Sequence, residues 1–538
     1  MSASFAKVEE LSTRYPNSAG KVIGYGTAGF RDKASILDHV MFRVGILSAL
    51  RSKQKNATIG VMITASHNPE DDNGVKLVDP EGEMLENAWE KIATKVANLD
   101  DSKLASAVED VVKTTGIDLG VKGSIFVARD TRESSPRLTQ AVLDGISCID
   151  NCEVVNWDLA STPVLHYLVV CRNGNEAYGK CSKAGYYDKL SSGFLTSIGS
   201  KSAQGAYKPI ITVDCANGIG AVEIREIGNK ISNDLKLTLV NDGKPGILNH
   251  NCGADFVKVQ QTFPENVTPA PGERFASLDG DADRLIYYYF DSNSKFKMLD
   301  GDKISLLFAE HLSELTKHAN LQLKTGVVQT AYANGSSTNY AQDVLKIPVA
   351  CEPTGVKHLH HAAQAFDIGV YFEANGHGTV LFSNNAIASV RDAVKSGDNK
   401  PAQELLSFMD IINSTVGDAI SDLLGVEAIL YSKGWSAQDW DNMYTDLPNR
   451  QLKVSVEDRN VIKTADAERK CVSPLGLQDK IDQLAGKYQN GRSFVRPSGT
   501  EDIVRVYAEA NTQGNADALG KEVAAAVYEL CRGVGPKP

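Results

Sequence analysis

The stretch Ile59-Gly-Val-Met-Ile-Thr-Ala-Ser-His-Asn-Pro69 passes from an unbroken apolar segment into a polar turn. Ile59–Thr64 reads as a strand, a short apolar run closed by turn formers. It delivers Ser66 to a loop that continues through His67, Pro69, Asp71-Asp-Asn-Gly74 and Lys76. A serine and asparagine in such a turn can simply bond their own backbone. A strand that ends in one hydroxyl on a polar loop equally fits presentation of that hydroxyl to a ligand.

Outward from this segment, short β-branched or aromatic runs recur. Strands are expected at Ile125–Ala128, Ile210–Val213, Leu237–Val240, Leu285–Phe290, Val327–Thr330, Ile347–Cys351 and Val370–Glu373. Between several of them apolar residues fall at helical spacing, as in Ile36, Leu37, Val40, Met41, Val44 and Leu47. Strands alternating with helices predict an α/β protein with mixed or parallel sheets, whose functional loops gather at the carboxyl ends of the strands. A last helix is expected to bury Leu519, Val523, Ala526, Val527 and Leu530. Gly185–Tyr207, rich in Ser, Gly and Lys, reads as a linker. Asp291–Lys297 and Gly434–Leu447 read as further boundaries, and Lys395–Lys400 as a surface loop.

At 538 residues the chain exceeds what one core supports, and roughly three to four domains are expected. A net charge of −11 argues against a general binder of nucleic acid or membrane surfaces, so any phosphate site must concentrate cations locally. Nine scattered cysteines without a Cys-x-x-Cys pair fit reduced, mostly buried thiols. Met1–Glu10 has no long apolar core and no apolar run is long enough to span a bilayer. These features give the expectation of a soluble, cytoplasmic protein without a membrane partner.

The second informative segment is Leu278-Asp-Gly-Asp-Ala-Asp-Arg284. Asp279, Asp281 and Asp283 alternate in a tight loop and can converge on one hard cation through oxygen ligands. An EF-hand needs Gly at its sixth position and Glu at its twelfth, where this chain has Arg284 and Phe290. Mg2+ with positions left open for a phosphate oxygen fits better, the bland alternative being a solvated acidic turn. Arg284 beside the cluster fits a phosphate-directed or loop-bracing role.

Three further loops carry weaker signals. Glu373-Ala-Asn-Gly-His-Gly378 sets a carboxylate and an amide at a strand end, a pattern suited to paired sugar hydroxyls, with His377 placed for proton transfer. A glycine turn capped by Asn375 would look the same. Arg496-Pro-Ser-Gly-Thr-Glu501, followed by a strand containing Arg505, offers hydroxyls, an opened backbone and two arginines to a phosphate. A Pro-Ser-Gly turn beside a salt-bridged strand is the competing reading. Gly26-Thr-Ala-Gly-Phe-Arg31 can bring Arg31 to a phosphate, though such glycine turns are common.

In order, Gly26–Arg31, Thr64–Pro69, Asp279–Arg284, Glu373–Gly378 and Arg496–Thr500 resemble the signature loops of the α-D-phosphohexomutase superfamily. The resemblance is strongest to its eukaryotic branch acting on N-acetylglucosamine phosphates. That closer likeness rests on Glu373-Ala-Asn-Gly-His, where hexose-phosphate relatives commonly carry Ser at the position of Asn375, and on Asn413–Asp422 and Tyr444–Lys453. Phe372-Glu373 departs from the Gly-Glu of many relatives.

The resemblance implies three related α/β domains and a smaller α+β C-terminal domain around a central cleft. Their expected extents are 1–187 with the phosphoserine loop, 188–297 with the metal loop, 298–440 with the sugar loop and 441–538 with the phosphate loop. It implies that Ser66 carries a phosphoryl group and that Asp279, Asp281 and Asp283 hold one Mg2+ together with an oxygen of that phosphate. It also implies that Glu373 and Asn375 grip sugar hydroxyls, and that Arg496, Ser498, Gly499, Thr500 and Arg505 anchor the phosphate not being transferred. Arg31, Lys76 and His377 match positions near the transferring group, and His67 is adjacent.

The expected reaction interconverts N-acetylglucosamine 6-phosphate and 1-phosphate through phosphoSer66 and a bound N-acetylglucosamine 1,6-bisphosphate, in a monomer. Lys76 or His377 is expected as general base, a lysine needing neighbouring cations to lower its pKa. Competing readings are a phosphoglucomutase or phosphomannomutase, a Mg2+-dependent phosphatase and a silent sugar-phosphate sensor.

Overall fold

The computed structural model describes residues 5–17, 20–199, 204–498 and 502–538. It divides into two compact units. The first comprises Met1–Asp300 with Asn375–Thr379 and Gln403–Gln438; the second comprises Gly301–Ala374, Val380–Ala402 and Asp439–Pro538.

The first unit holds two mixed sheets. One is built from β1 (Phe30–Lys33), β2 (Thr58–Ile63), β3 (Asp72–Val78), β4 (Gly123–Arg129) and β5 (Cys152–Leu159) in the order β1-β3-β2-β4-β5. The β2-β4-β5 part is parallel, whereas β3 runs antiparallel to both β1 and β2. β2 is buried along its whole length, and helices Asp38–Lys55 and Thr162–Asn173 both pack on it. This is why its sequence is a continuous apolar run instead of an alternating one. Helix Asp38–Lys55 contains the expected face from Val40 to Leu47 and is buried nearly all round.

The other sheet contains β6 (Ile210–Asp214), β7 (Lys236–Val240), β8 (Arg274–Leu278), β9 (Leu285–Phe290) and β10 (Phe296–Leu299) in the order β10-β9-β8-β6-β7. β8 and β9 form an antiparallel hairpin whose register runs to Leu278 opposite Leu285. The acidic segment Asp279–Arg284 is therefore the hairpin's own connection. Asp291–Lys297, expected as a boundary, is the turn 291–295 between β9 and β10 together with the first two residues of β10.

Within the linker expected over Gly185–Tyr207, residues 185–198 are helical instead, and residues 200–203 lie outside the described residues. Lys183–Ile198 is a helix, capped by Ser182 Oγ, which accepts from the Gly185 amide at 2.9 Å. Tyr186, Leu190, Phe194 and Ile198 recur at helical spacing and are buried. The Ser, Gly and Lys content masked that periodicity.

In the second unit, β11 (Thr325–Thr330), β12 (Val349–Glu352), β13 (Ile368–Phe372) and β14 (Gly378–Phe382) form a sheet ordered β12-β11-β13-β14. Strands β12, β11 and β13 run parallel, with helix Val356–Ala363 connecting β12 to β13. The C-terminal part has β15 (Asn449–Ser455), a small hairpin of β16 (Lys463–Ala465) and β17 (Lys470–Ser473), then β18 (Arg492–Pro497) and β19 (Ile503–Glu509). Antiparallel β15-β19-β18 is covered by helix Gln513–Leu530. That helix buries Leu519, Val523, Ala526 and Val527, but Leu530 at its end is 44% exposed, contrary to the expected face.

Helices Asp38–Lys55 and Ser135–Ser147 meet backbone to backbone. A Cβ added at Gly145 would lie 1.9 Å from the Phe42 carbonyl oxygen, so the contact admits no side chain there. Gly145→Ala is expected to cost about 1–3 kcal/mol through overpacking, measured as a lower apparent melting temperature.

Candidate active site

After Ile63 the chain turns through Thr64–Asp71 and returns as β3, so the polar loop is shorter than its composition suggests. Asn73-Gly74 and Lys76, read from sequence as loop, lie in β3. Gly74 pairs with Arg31 on β1, and Lys76 pairs with Met62 on β2. Residues two apart on a strand share a face, so Arg31 and Lys76 project to the same side of the sheet.

Ser66 has φ +52°, a left-handed conformation unfavourable for a residue with a Cβ. Its hydroxyl is enclosed by the fold. The residue is 1% exposed, and Oγ donates to Asp279 Oδ2 at 2.7 Å. Gly280 permits this approach, since a Cβ there would stand 2.5 Å from the Ser66 carbonyl oxygen.

Asp279, Asp281 and Asp283 are buried, and one oxygen of each lies within 4.8 Å of the others. Asp279 Oδ1 accepts from the amides of Asp283 (3.0 Å) and Arg284 (3.2 Å), which locks the hairpin connection. Thr162 Oγ1 donates to Asp281 Oδ2 at 2.6 Å. Lys76 Nζ stands 3.3 Å from Asp281 and 3.5 Å from Asp283, so two carboxylates face its amino group. Asp281 Oδ1 and Asp283 Oδ1 make no hydrogen bond among the described residues.

Burial, then the charges of Asp283 and Asp281, push the Asp279 carboxyl well above its ordinary range. Burial also opposes ionisation of Asp283, but His377 and Lys76 outweigh it and hold that carboxyl well below the usual range. Oxygen-only donors, two of them unsatisfied and all crowded by like charge, fit a hard divalent cation.

His377 Nδ1 lies 2.8 Å from the Asp283 carbonyl oxygen and 3.5 Å from its carboxylate. Arg284 Nε lies 3.9 Å from Asp279 and 4.0 Å from Asp283. Arg31 Nε is buried and makes no hydrogen bond among the described residues, and burial pulls the Arg31 pKa down against the pull of Asp281. His67 Nδ1 is 3.4 Å from Ser66 Oγ. Burial, then Arg284 and Arg31, drive the His67 imidazole far below its usual pKa, so it stays neutral at physiological pH.

Glu373 belongs to the second unit, whereas Asn375 and His377 belong to the first. Glu373 Oε1 accepts from the Gly355 amide at 3.3 Å. Asn375 Oδ1 accepts from the His377 amide at 3.0 Å, the self-capped turn weighed from sequence. In the second unit, Arg496 on β18 stands directly opposite Arg505 on β19, and Arg505 directly opposite Lys453 on β15. Three cations in one cross-strand row repel one another and suit an anion. Glu468 Oε1 lies 3.5 Å from Arg496 Nε, and its Oε2 accepts from Thr354 N and Oγ1. The Ser498 amide donates to Ile503 O at 2.8 Å. Gly499 and Thr500, expected in the same cradle, lie outside the described residues.

Family models match along most of the chain. Residues 197–286 and 300–435 match phosphoacetylglucosamine mutase AMG1 domains II and III. Residues 44–103 and 102–177 match the phosphoglucomutase/phosphomannomutase alpha/beta/alpha domain I, and residues 449–526 its C-terminal domain. The phosphoacetylglucosamine mutase of Sus scrofa is 52% identical over 99% of this chain and 98% of its own.

The chain belongs to the phosphoacetylglucosamine mutase family.

Solved structures of the family agree in fold. An N-acetylglucosamine-phosphate mutase in its substrate complex superposes with a TM-score of 0.92 at 50% identity, covering 97% of this chain and 99% of that one. The Aspergillus fumigatus N-acetylphosphoglucosamine mutase in complex with GlcNAc-6P and magnesium gives 0.94 at 46%, covering 99% and 100%. The chain is thus a mutase of the phosphohexomutase type, with three mixed α/β domains and a C-terminal domain. No helix among the described residues is long and apolar enough to cross a membrane.

Sequence reading missed Thr162, Thr354 and Lys453. Thr162 follows a strand end as Ser161-Thr-Pro163, a helix-start pattern whose polar atoms point at an acidic loop far away in sequence. Lys453 looks like one more outward-facing strand residue until the register sets it beside Arg505.

Saturating Mg2+ is expected to raise the apparent melting temperature of the purified protein by several degrees, by preferential binding to the folded state. Asp281→Asn should abolish most of that shift.

Proposed function

We propose that this chain interconverts N-acetylglucosamine 6-phosphate and N-acetylglucosamine 1-phosphate, with phosphoSer66 as phosphoryl donor and acceptor. The carrying observation is the buried Ser66 hydroxyl held 2.7 Å from Asp279 within a three-carboxylate cluster. The product would supply synthesis of UDP-N-acetylglucosamine, and the chain would act as a cytoplasmic monomer. Its working domains are 1–187, 188–297, 298–440 and 441–538.

Forward, the sugar O1 attacks phosphorus of phosphoSer66, and the bond from phosphorus to Ser66 Oγ breaks. The O1 proton passes to His377 or Lys76, and Ser66 Oγ is reprotonated. The 1,6-bisphosphate then turns over while bound. Ser66 Oγ next attacks phosphorus of the 6-phosphate as its proton is removed, and O6 departs with a proton, leaving the 1-phosphate and restored phosphoSer66.

Phosphoryl transfer depends mainly on position and charge. Asp279, Asp281 and Asp283, with an oxygen of the phosphoserine, would hold Mg2+, which when bound offsets charge on the transferring phosphate. Arg31 and Arg284 receive the remaining negative charge, and neutral His67 lines the serine. Glu373 and Asn375 hold sugar hydroxyls. Arg496, Ser498, Gly499, Thr500 and Arg505 retain the other phosphate, with Lys453 in the same row.

Ser66→Ala is expected to lower kcat by more than about 1,000-fold, consistent with loss of a covalent carrier. Intact mass should show one phosphate on wild type after incubation with the bisphosphate and none on the variant. Wild type should turn over N-acetylglucosamine 6-phosphate in preference to glucose 1-phosphate; the opposite preference would assign a phosphoglucomutase. Release of inorganic phosphate without isomerisation would assign a phosphatase. Full function in Ser66→Ala would assign a sensor.

A further inference from the structure

We infer that Arg132, anchored by Asp130, is a positioning residue that fixes the backbone on both sides of Ser66 and so aims its Oγ. This rests on the reading of Ser66 as the phosphoryl carrier.

The pair follows β4, whose end lies beside the end of β2, and neither residue belongs to the serine loop in sequence. Arg132 and Asp130 are both fully enclosed. The guanidinium is committed to the loop's carbonyls: Nη2 donates to Ser66 O (3.0 Å) and Asn68 O (3.0 Å), and Nη1 donates to Pro69 O (2.6 Å). Its Nε donates to Asp130 Oδ2 at 3.0 Å.

The same Asp130 oxygen accepts from Thr64 Oγ1 at 2.8 Å, and Thr64 Oγ1 in turn accepts from the Ser66 amide at 3.0 Å. The carbonyl of Ser66 is therefore wired to Asp130 through Arg132, and its N–H through Thr64. Asp130 Oδ1 is held by the Arg132 amide (3.1 Å) and Ser135 Oγ (2.7 Å) at the start of helix Ser135–Ser147. One carboxylate, seated on a sheet edge and a helix, closes a circuit around a single residue.

That residue is the one with φ +52°, a conformation that persists only when its surroundings over-determine it. Release of either arm would let the serine relax towards ordinary backbone and swing Oγ away from Asp279. Asn249 Nδ2 also donates to Ser66 O and Asn68 O, at 2.8 and 3.0 Å, but leaves the Ser66 amide and Pro69 untouched. A lysine at 132 would keep the charge opposite Asp130 yet could not reach three carbonyls at once.

Arg43 provides a matched control. It is equally buried and donates to Val96 O, Ala97 O, Leu99 O and Asp101, none of which belongs to the hydrogen-bond circuit around Ser66. The test compares wild type, Arg132→Lys and Arg43→Lys at a temperature where all are folded. It measures single-turnover phosphorylation of Ser66 by N-acetylglucosamine 1,6-bisphosphate, and steady-state kcat and KM. Arg132→Lys should slow transfer and lower kcat by about 100-fold, the scale of an ångström-size misplacement, with KM within about twofold. Arg43→Lys should lose melting temperature and keep its transfer rate.

Thr64→Val cuts the other arm at nearly constant volume and should slow transfer in the same way, so the test does not hang on the folding of Arg132→Lys. Wild-type rates in Arg132→Lys or in Thr64→Val, or equal slowing in Arg43→Lys, would overturn the clamp. Failure of wild type itself to take up phosphate at Ser66 would instead overturn the carrier reading, and the clamp with it.

Discussion

Three carboxylates packed within 4.8 Å of one another in a buried hairpin connection cannot all carry charge without a compensating cation. Much of the first unit around them serves that constraint. The β8–β9 register forces the acidic residues together, the Asp283 and Arg284 amides tie down one oxygen of Asp279, and Thr162 and Lys76 reach in from other elements. Ser66 hydrogen-bonds to the cluster through its hydroxyl, and its carbonyl packs against Gly280 of the same loop. A phosphoryl group there would meet whatever neutralises the triad.

The second unit carries the opposite imbalance. Arg496, Arg505 and Lys453 occupy one row across three strands, where neighbouring like charges cost stability unless an anion intervenes. Glu468 partly answers Arg496 and is itself held by Thr354. A protein with a net charge of −11 thus concentrates cations on one strand face and anions in one hairpin. Taken each by itself, the hairpin suits a divalent cation and the cation row suits a phosphate. Stability has been set aside locally in both places, as expected where a fold must bind and act.

The parts of this arrangement that were legible in the sequence are those written contiguously. Ser66 sits in one short turn after an apolar strand, and the three aspartates sit in one hexapeptide. Residue type and spacing pointed the three aspartates towards a hard cation and left the serine open between a turn and a ligand site, and the family likeness gave the serine its phosphoryl role. Elements that depend on pairing were hidden. Asn73-Gly74 looked like a turn because Asn and Gly favour turns, yet tertiary pairing with β1 and β2 makes that segment a strand. The helix Lys183–Ile198 hid behind Ser, Gly and Lys. Arg132, Thr162 and Lys453 acquire meaning only when strand ends distant in sequence are brought side by side. The carboxylates beside Lys76 were hidden for the same reason: they come from another hairpin.

The central claim, that Ser66 passes its own phosphate to the sugar and takes back another, is tested most directly by following the phosphorus. Enzyme carrying radiolabelled phosphate on Ser66 would be mixed with excess unlabelled N-acetylglucosamine 6-phosphate and quenched after one turnover. Label should leave the protein and appear at O1 of N-acetylglucosamine 1-phosphate, with unlabelled phosphate left on the serine. Label that stays on Ser66 while product forms, or that emerges as inorganic phosphate, would contradict it.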